Sequence, residues 1–451
     1  MPKAKDNNKS KAGNFSRRDF IRFTAAAVAV GPFFAFPDRV LASQKKLKIA
    51  HWAHFVPAYD QWFDIYASDW GKQHDTRVTV DHVPRNQVNL SATAEVRAGK
   101  GHDLFVFPTP PATFHEHVID HGEVYQMVAS RHGAISRLAH LSTFNPQTKK
   151  HFAFTDSWIP APLHYYEDFW ATGANMPLGP PTWDSLRSGA KRVRASSGAP
   201  CGLAFGPGLD GNVTLQSILW GSRVFVQDDQ GTVRFNPILA ARAMQYAKDI
   251  FQESGTPDQF SWGPSGNEQA MLARKTSCTI SPISLVRAAE EHDPELAKKI
   301  MINPPLLGMA RIIGPPYATN CWAIWNFAEN QEDAKQFTAD FVDNFSTAYD
   351  KSQGCNFPMY QNTVPNLIVR LMKDAKADPP YKYEALKDAL YWTRNLGFPG
   401  FSTPPAMEVF DSDLFPRVFA KVIRGEQSPE DGAEAALYEI NRIFARWKQV
   451  R

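Results

Sequence analysis

An alternation of strands and helices near the start of the chain restricts the fold most. Residues 46–52 (KLKIAHW) and 77–83 (RVTVDHV) show the alternating apolar pattern of strands, and residues 103–107 (DLFVF) form a short apolar strand. Between the first two, residues 57–70 place aromatic side chains at helical spacing. Strands that alternate with helices usually pair in parallel, so this order predicts an α/β fold.

The first 42 residues have a different character. Residues 16–22 (SRRDFIR) contain a twin arginine, and an apolar run of 14 residues follows at positions 23–36. A membrane-spanning helix needs about 20 residues, so a cleaved signal is the better interpretation, with cleavage after Ala42. The stretch resembles the twin-arginine (Tat) signal of bacteria. This resemblance implies export to the periplasm by the Tat translocase; the alternative is a basic tail.

Charge and length narrow the class of protein further. The formal net charge of +3 comes from the basic start, and the remainder of the chain is close to neutral. We therefore do not expect the protein to have a basic surface of the kind that binds nucleic acid. A single hydrophobic core stops growing at roughly 250–300 residues, so a chain of 451 residues is expected to form two lobes.

Four cysteines are present, and none has the CxxC spacing of a metal or redox motif. They allow three disulfide pairings, and an oxidising compartment would permit any of them. Buried thiols are an equal alternative, so the sequence leaves the state of the cysteines open. The four are Cys201, Cys278, Cys321 and Cys355.

Five stretches in order resemble family 1 of the extracellular solute-binding proteins of ABC importers, which binds sugars and oligosaccharides. They extend from about residue 45 to residue 447. The stretches are LKIAHWAHFVPAYDQWFDIYA, AEVRAGKGHDLFVF, PPTWDSLRSGAKRV, NCWAIWNFAENQEDAKQFTADFV and VFAKVIRGEQSPEDGAEAALYEINRIF.

The resemblance implies a two-lobed, type II periplasmic-binding-protein-like fold with the ligand in a cleft between the lobes. The N-terminal lobe would comprise 45–157 and 305–350, and the C-terminal lobe 158–304 and 351–451, with a hinge at Trp158–Leu163. It further implies a monomer without a cofactor, which is not an enzyme and delivers its solute to an ABC permease in the membrane.

Open α/β sheets bind ligands beyond the carboxyl ends of their strands, and this rule selects candidate residues after the first and third strands. Aromatic rings can cover the apolar faces of a sugar, while polar groups bond its hydroxyls. The candidates are Trp52, His54, Phe55, Tyr59 and Thr109. Asp60 is a further candidate, although a carboxylate in a first helical turn also suits the helix dipole.

The hinge, the return segments and the second lobe supply more candidates, for which core packing or a turn is the alternative role. Trp158 lies at the hinge, and Tyr360 lies where the chain is expected to cross back. Asp210 and Trp262 are placed in loops of the second lobe. The complete second group is Trp158, Asp210, Trp262, Tyr317, Asn320, Trp322 and Tyr360.

Few of these candidates are charged, which favours a neutral sugar or polyol over the alternatives of a metal chelate, a polyamine or an organic anion.

His117 and His121 are four residues apart on a predicted helix and are weak candidates for a divalent ion. The sequence lacks the motifs of serine hydrolases, zinc peptidases, P-loop enzymes and Rossmann enzymes. A periplasmic glycan-active enzyme with a carboxylate pair remains a third interpretation.

Overall fold

The computed structural model of the protein describes residues 45–309 and 311–449. The predicted Tat signal and its cleavage after Ala42 lie outside these residues. Within the part that is described, no helix combines the length and the apolar character needed to cross a membrane.

The elements follow one another in a mixed α/β order. The strands are β1 Lys45–Trp52, β2 Thr76–Val83, β3 Leu104–Phe107, β4 Phe144–Asn145, β5 Lys150–His151, β6 Phe154–Pro160, β7 Leu163–Tyr166, β8 Cys278–Ile280, β9 Ile300–Asn303, β10 Pro316–Ile324 and β11 Phe357–Pro358. The helices up to residue 272 are α1 Pro57–Gln73, α2 Val88–Ala98, α3 Gly122–His132, α4 Arg137–Thr143, α5 Glu167–Ala174, α6 Trp183–Ser197, α7 Leu209–Gly221, α8 Pro237–Ser254 and α9 Gly266–Leu272. The later helices are α10 Ser284–His292, α11 Pro294–Ala297, α12 Gln331–Asp343, α13 Phe345–Lys351, α14 Leu367–Met372, α15 Ala389–Trp392, α16 Pro404–Asp411, α17 Leu414–Ile423 and α18 Pro429–Gln449.

A six-stranded sheet has the order β11-β6-β10-β3-β1-β2. β1 pairs in parallel with both β2 and β3, as the strand–helix alternation predicts, and the register places His51 opposite His82. β10 returns antiparallel to β3 and β6. The carboxyl ends of β1, β2 and β3 therefore meet the start of β10 at one edge of the sheet.

A second, three-stranded sheet has the order β8-β7-β9 and is antiparallel throughout. The chain passes from the first sheet to the second between Pro160 and Leu163, and it is back in the first sheet at Pro316. The short strand β11 also pairs with β6 of the first sheet. The two sheets agree with the predicted two-lobed fold, and the exact lobe boundaries stay a prediction.

An aromatic core explains why α1 packs where it does. The ring of Phe63 lies 6.0 Å from that of Trp322 and 5.8 Å from that of Phe341, and all three residues are buried. Burying one large apolar side chain contributes about 1.5–3 kcal/mol, so this cluster fixes α1 and α12 on the six-stranded sheet.

Local signals fix individual helix starts. Thr182 Oγ1 accepts a hydrogen bond from the backbone N–H of Ser185, and Ser185 Oγ accepts one from the backbone N–H of Thr182. This capping box confirms the helix predicted from Trp183. Pro57 and Pro237 occupy the first position of their helices, where a missing N–H costs nothing.

Two local predictions are wrong. The sequence predicts a loop at Asp210 to Asn212. In the structure these residues form the first turn of α7, which begins at Leu209. A Cβ on Gly211 would lie 1.8 Å from the carbonyl oxygen of Gly206, so only glycine allows this close approach. The helix predicted through His117 and His121 is absent: these residues lie in turns and irregular segments, and α3 begins at Gly122.

Candidate functional site

Side chains from three different strand ends converge at the carboxyl edge of the six-stranded sheet. Phe55 follows β1, Arg85 follows β2 and Tyr317 lies at the start of β10. The guanidinium carbon of Arg85 lies 4.2 Å from the ring centre of Phe55, and the ring of Tyr317 meets that of Phe55 edge-on at 5.3 Å. A cation over an aromatic face and an edge-to-face ring pair are both attractive, so they hold this edge in one arrangement.

Arg85 also reaches the part of the chain that carries the three-stranded sheet. Its Nη2 donates to Ser265 Oγ at 2.8 Å, and the backbone N–H of Ser265 donates to Asp210 Oδ2 at 3.2 Å. Glu268, one turn into α9, accepts hydrogen bonds at Oε1 from Ser281 and Ser284. We call Phe55, Arg85, Asp210, Ser265, Glu268 and Tyr317 the cleft cluster.

The cleft cluster contains one cationic group, Arg85, and two carboxylates, Asp210 and Glu268. Burial raises the pKa of Asp210 to about 6, and the neighbouring Arg85 opposes this rise. Burial lowers the pKa of Arg85, while Asp210 and Glu268 raise it. One guanidinium thus faces two carboxylates, and the attraction between these charges opposes the effect of burial on each of them.

Two polar atoms of the cleft cluster are buried without a hydrogen-bond partner in the described part of the chain: Asp210 Oδ1 and the Tyr317 hydroxyl. An unsatisfied buried polar group costs about 1–3 kcal/mol, which a bound solute with hydroxyl groups could recover. The arrangement therefore offers an aromatic surface beside unused hydrogen-bonding atoms.

The candidates around Trp52 form a polar network beneath this edge. Trp52 Nε1 donates to Asn320 Oδ1 at 2.9 Å, and Asn320 Nδ2 donates to Ser157 Oγ at 2.7 Å. His54 Nε2 donates to Asn356 Oδ1 at 2.9 Å, and burial lowers the pKa of His54 to about 4. These buried groups position the loop after β1.

Trp322 and Asn320 belong to the interior of the six-stranded sheet. Trp322 Nε1 donates to Asp156 Oδ1 at 2.5 Å, and its ring packs 4.8 Å from that of Phe341. Both residues are about 1% exposed, and the indole N–H and the amide of Asn320 are already bonded internally. These bonds give both side chains a role inside the sheet, and contact with a ligand stays a prediction for Trp322 and Asn320.

The other aromatic candidates from the first and return segments are also buried. The ring of Tyr59 packs against that of His54 in a tilted arrangement, with ring centres 4.3 Å apart. Trp158 packs against Phe357 at 5.3 Å, and Tyr360 lies 6.1 Å from Phe154. The Tyr59 and Tyr360 hydroxyls and Trp158 Nε1 have no hydrogen-bond partner among residues 45–309 and 311–449, so contact with a ligand stays a prediction for these three.

Three further candidates occupy different surroundings. The carboxylate of Asp60 accepts a hydrogen bond from the backbone N–H of His54, which its two oxygens share at 3.2 and 3.1 Å, and contact with a ligand stays a prediction for Asp60. Thr109 is buried at the end of the third strand. Trp262 lies in the predicted loop before α9, is partly exposed, and donates to Asp258 Oδ2 at 3.0 Å.

The predicted histidine pair does not form a metal site. His121 is buried, and both its ring nitrogens are used: Nδ1 donates to the carbonyl oxygen of His151, and Nε2 accepts from the backbone N–H of Ile324. His117 is exposed. With no helix between them, the spacing of four residues does not bring the rings to one face.

Sequence reasoning missed Arg85, Ser265 and Glu268. Arg85 follows the second strand, so the carboxyl-end rule that selected residues after the first and third strands would also have found it. Ser265 and Glu268 lie about 180 residues further along, and nothing in their local sequence predicts a contact with Arg85.

A surface pocket of about 230 Å³ lies apart from the cleft cluster and is lined by Arg287, Tyr349, Asp350, Gln353, Gly354, Arg370, Asp374 and Lys376. Its charged groups are largely paired, with Arg287 on Glu290 at 2.8 Å and on Asp374 at 2.5 Å. We place the candidate site at the cleft cluster, where polar atoms are buried and unused.

Comparison with solved structures identifies the fold. A periplasmic-binding protein from Synechococcus sp. MITs9220 solved in complex with zinc has a TM-score of 0.74 and 16% identity, covering 89% of this chain and 100% of that one. An ABC transporter solute-binding protein from Thermotoga lettingae TMO bound with alpha-D-tagatose has a TM-score of 0.73 and 15% identity, covering 89% and 100%. A sugar transporter protein from Arthrobacter chlorophenolicus A6 with bound laminaribiose has a TM-score of 0.74 and 11% identity, covering 88% and 99%.

The fold is that of the two-lobed periplasmic binding proteins. The predicted type II architecture is thereby confirmed, at an identity that shows the fold alone. No family model matches the sequence, and no curated protein matches it either.

Proposed function

We propose that this protein captures a carbohydrate (a sugar, oligosaccharide or polyol) between its two lobes. The observation that carries the proposal is the cleft cluster, in which Arg85 of one lobe bonds Ser265 of the other beside the unpartnered Asp210 Oδ1. In the proposed mechanism this bond belongs to the closed state of the two lobes. A solute that bonds groups of both lobes would favour the closed state by its differential affinity for it.

The chemistry of the cluster suits a neutral polyhydroxy ligand. Carboxylate and guanidinium groups bond hydroxyls in pairs, and the Phe55 and Tyr317 rings offer apolar surface to the C–H faces of a sugar. Arg85 is already balanced by Asp210 and Glu268, which leaves no free cation for an organic anion. Structural neighbours solved with alpha-D-tagatose and laminaribiose support the same ligand class.

The proposal extends to transport. The protein would be a periplasmic receptor, exported by the Tat translocase with cleavage after Ala42, and it would deliver its solute as a monomer to an ABC permease in the membrane. It would bind its solute without catalysis. The Tat-like residues 16–22 and the fold support this assignment.

A thermal-shift panel on the full chain tests the ligand class. The panel contains mono- and oligosaccharides, polyols, polyamines, organic anions and divalent metals. A ligand at 100 times its dissociation constant adds about 2.7 kcal/mol, which is a rise of a few degrees for a chain of this size. A selective rise with a carbohydrate is the expected result. A rise only with polyamines or organic anions would overturn the ligand class.

A further inference from the structure

A second cluster of polar side chains lies on α1 and the two strands beneath it. His51 and His82 are directly paired in the parallel register of β1 and β2, so their side chains share one face of the sheet, with ring centres 6.0 Å apart. Asp60 and Asp64 are four residues apart on α1, which puts their carboxylates on one helix face. One ring nitrogen from each histidine and one carboxylate oxygen of Asp60 lie within 4.8 Å of one another.

Each histidine has one ring nitrogen fixed by a neighbour. His51 Nδ1 lies 2.6 Å from the carbonyl oxygen of Trp52, which can only accept, so this nitrogen carries the proton. His82 Nε2 lies 2.8 Å from Asp64 Oδ1 and donates to it. A neutral imidazole that donates from one nitrogen presents a lone pair at the other.

The remaining ring nitrogens, His51 Nε2 and His82 Nδ1, are buried and make no hydrogen bond within the described residues. The whole His51 side chain is 0% exposed, so bulk solvent does not reach its unused nitrogen. His82 Nδ1 and Asp60 Oδ1 are 3.5 Å apart, and this contact does not count as a hydrogen bond either. Two ring nitrogens and a carboxylate thus converge without a hydrogen bond among them, and each nitrogen can offer a lone pair to a metal ion when its ring is neutral.

We propose that His51 Nε2, His82 Nδ1 and Asp60 bind a divalent transition-metal ion, with zinc as the best match. Two imidazoles and one carboxylate are a nitrogen and oxygen donor set that suits zinc, whereas calcium and magnesium prefer oxygen donors alone. The backbone carbonyl of Trp52 and the carboxylate of Asp64 are the outer partners that orient ligating histidines. Three protein ligands leave a fourth position for water.

The geometry needs only a small contraction. A tetrahedral ion with bonds of about 2.0–2.1 Å holds its ligand atoms about 3.3 Å apart, so side-chain rotations of His82 and Asp60 would complete the site. These two side chains are 24% and 18% exposed and give the ion a route from solvent, while His51 forms the buried floor. The site is separate from the cleft cluster but adjoins the loop after β1, because Asp60 also bonds the backbone of His54.

Zinc binding to the chelator-treated full chain, without an affinity tag, tests the proposal. Equilibrium dialysis with zinc chloride and metal analysis should find a site that takes one ion per chain. His82→Gln and Asp60→Asn should each remove this site, and Asp64→Asn should weaken it by about 10–100-fold, as outer-partner changes do. His117→Gln, which changes an exposed histidine outside the cluster, is the matched control and should bind like the unchanged protein.

Cobalt supplies a second readout that does not depend on stability. A four-coordinate cobalt ion bound by the unchanged protein should give intense visible absorption bands, which His82→Gln should abolish. Thermal melting of each variant shows that it is folded, and Asp60→Asn serves if His82→Gln is not. Failure to bind zinc at micromolar concentration, or binding that persists in both His82→Gln and Asp60→Asn, would overturn the proposal.

Discussion

Arg85 Nη2 donates to Ser265 Oγ at 2.8 Å, although the two residues are 180 positions apart in the sequence. Arg85 follows β2 of the six-stranded sheet, and Ser265 immediately precedes α9, which contacts β8 of the three-stranded sheet. The bond therefore joins the two sheets across the edge at which open α/β sheets bind their ligands.

Replacement of Arg85 by alanine should weaken carbohydrate binding. Hydrogen bonds to charged groups contribute about 1.5–3 kcal/mol, so the dissociation constant should rise about 10- to 100-fold. Titration calorimetry with a carbohydrate selected by the thermal-shift panel measures this change. Arg97→Ala removes an exposed arginine from α2 and should leave the affinity unchanged. Equal affinities for Arg85→Ala and Arg97→Ala would remove Arg85 from the site.

Tyr317→Phe should separate ligand binding from stability. The Tyr317 hydroxyl is buried and has no hydrogen-bond partner in the described structure, so its loss should not lower the free energy of unfolding and should raise it by up to about 1–3 kcal/mol. Tyr166→Phe is the comparison, because the buried Tyr166 hydroxyl donates to the carbonyl oxygen of Met271 at 2.5 Å, and its loss should cost about 1 kcal/mol.

Denaturant unfolding of both variants, with calorimetry for the ligand, checks this contrast. Affinity for the carbohydrate should fall in Tyr317→Phe and stay constant in Tyr166→Phe. A Tyr317→Phe protein that loses stability but keeps its affinity would show that the hydroxyl serves the fold.

Asp156 should make stability depend on pH. Burial raises the pKa of this carboxyl from 3.8 to about 6, while hydrogen bonds from Ser157 and Trp322 oppose the rise. Between about pH 4 and 6 the folded protein holds a proton that the unfolded chain releases, so the free energy of unfolding falls as the pH rises through this window. Since a difference of one pKa unit corresponds to about 1.4 kcal/mol, the effect should be on the order of 1–3 kcal/mol.

Asp156→Asn keeps an acceptor for the Trp322 indole and removes the titrating group. Its unfolding free energy, measured in urea from pH 4 to pH 7, should fall less with pH than that of the unchanged protein. The exposed Asp229→Asn is the control and should follow the unchanged protein. Identical pH profiles for Asp156→Asn and the unchanged protein would contradict the assignment.

Cysteine pairing is also testable, because the structure brings one pair of cysteines, Cys201 and Cys278, close together. All four cysteines are free and buried, and the sulfurs of Cys201 and Cys278 lie 3.5 Å apart. Refolding in a glutathione redox buffer should therefore produce a Cys201–Cys278 disulfide, seen by peptide mass analysis as the loss of two hydrogens. A Cys278→Ser chain should form no disulfide under the same conditions. A disulfide between Cys321 and Cys355 would be inconsistent with the described fold.

The fold could be predicted from the sequence because its signals are local. The strands and helix of residues 45–83 have clear periodicity, and Thr182 and Ser185 mark a helix start by their capping chemistry. The carboxyl-end rule correctly placed Phe55 at the edge of the sheet, where Tyr317 from the return strand also lies. These inferences need only the spacing of side chains and the direction of neighbouring strands.

The roles of the candidate site residues could not be predicted in the same way, because they depend on distances between residues that are far apart in the sequence. In a sequence, a tryptophan that packs in the core cannot be distinguished from one that contacts a ligand. Only the structure shows that the indole N–H groups of Trp52 and Trp322 donate to Asn320 and Asp156. The proposed metal cluster needs the register that sets His51 opposite His82, which is a property of strand pairing. The prediction of His117 and His121 instead relied on a helix that the chain does not form.

Calorimetric titration of the full chain with carbohydrates, combined with product analysis of the same samples, tests the central claim most directly. We predict that one carbohydrate binds with a stoichiometry of one per chain and is recovered unchanged. Chemical conversion of a glycan by catalytic amounts of the protein would contradict this account, as would stoichiometric binding of a polyamine or organic anion with no response to any sugar or polyol.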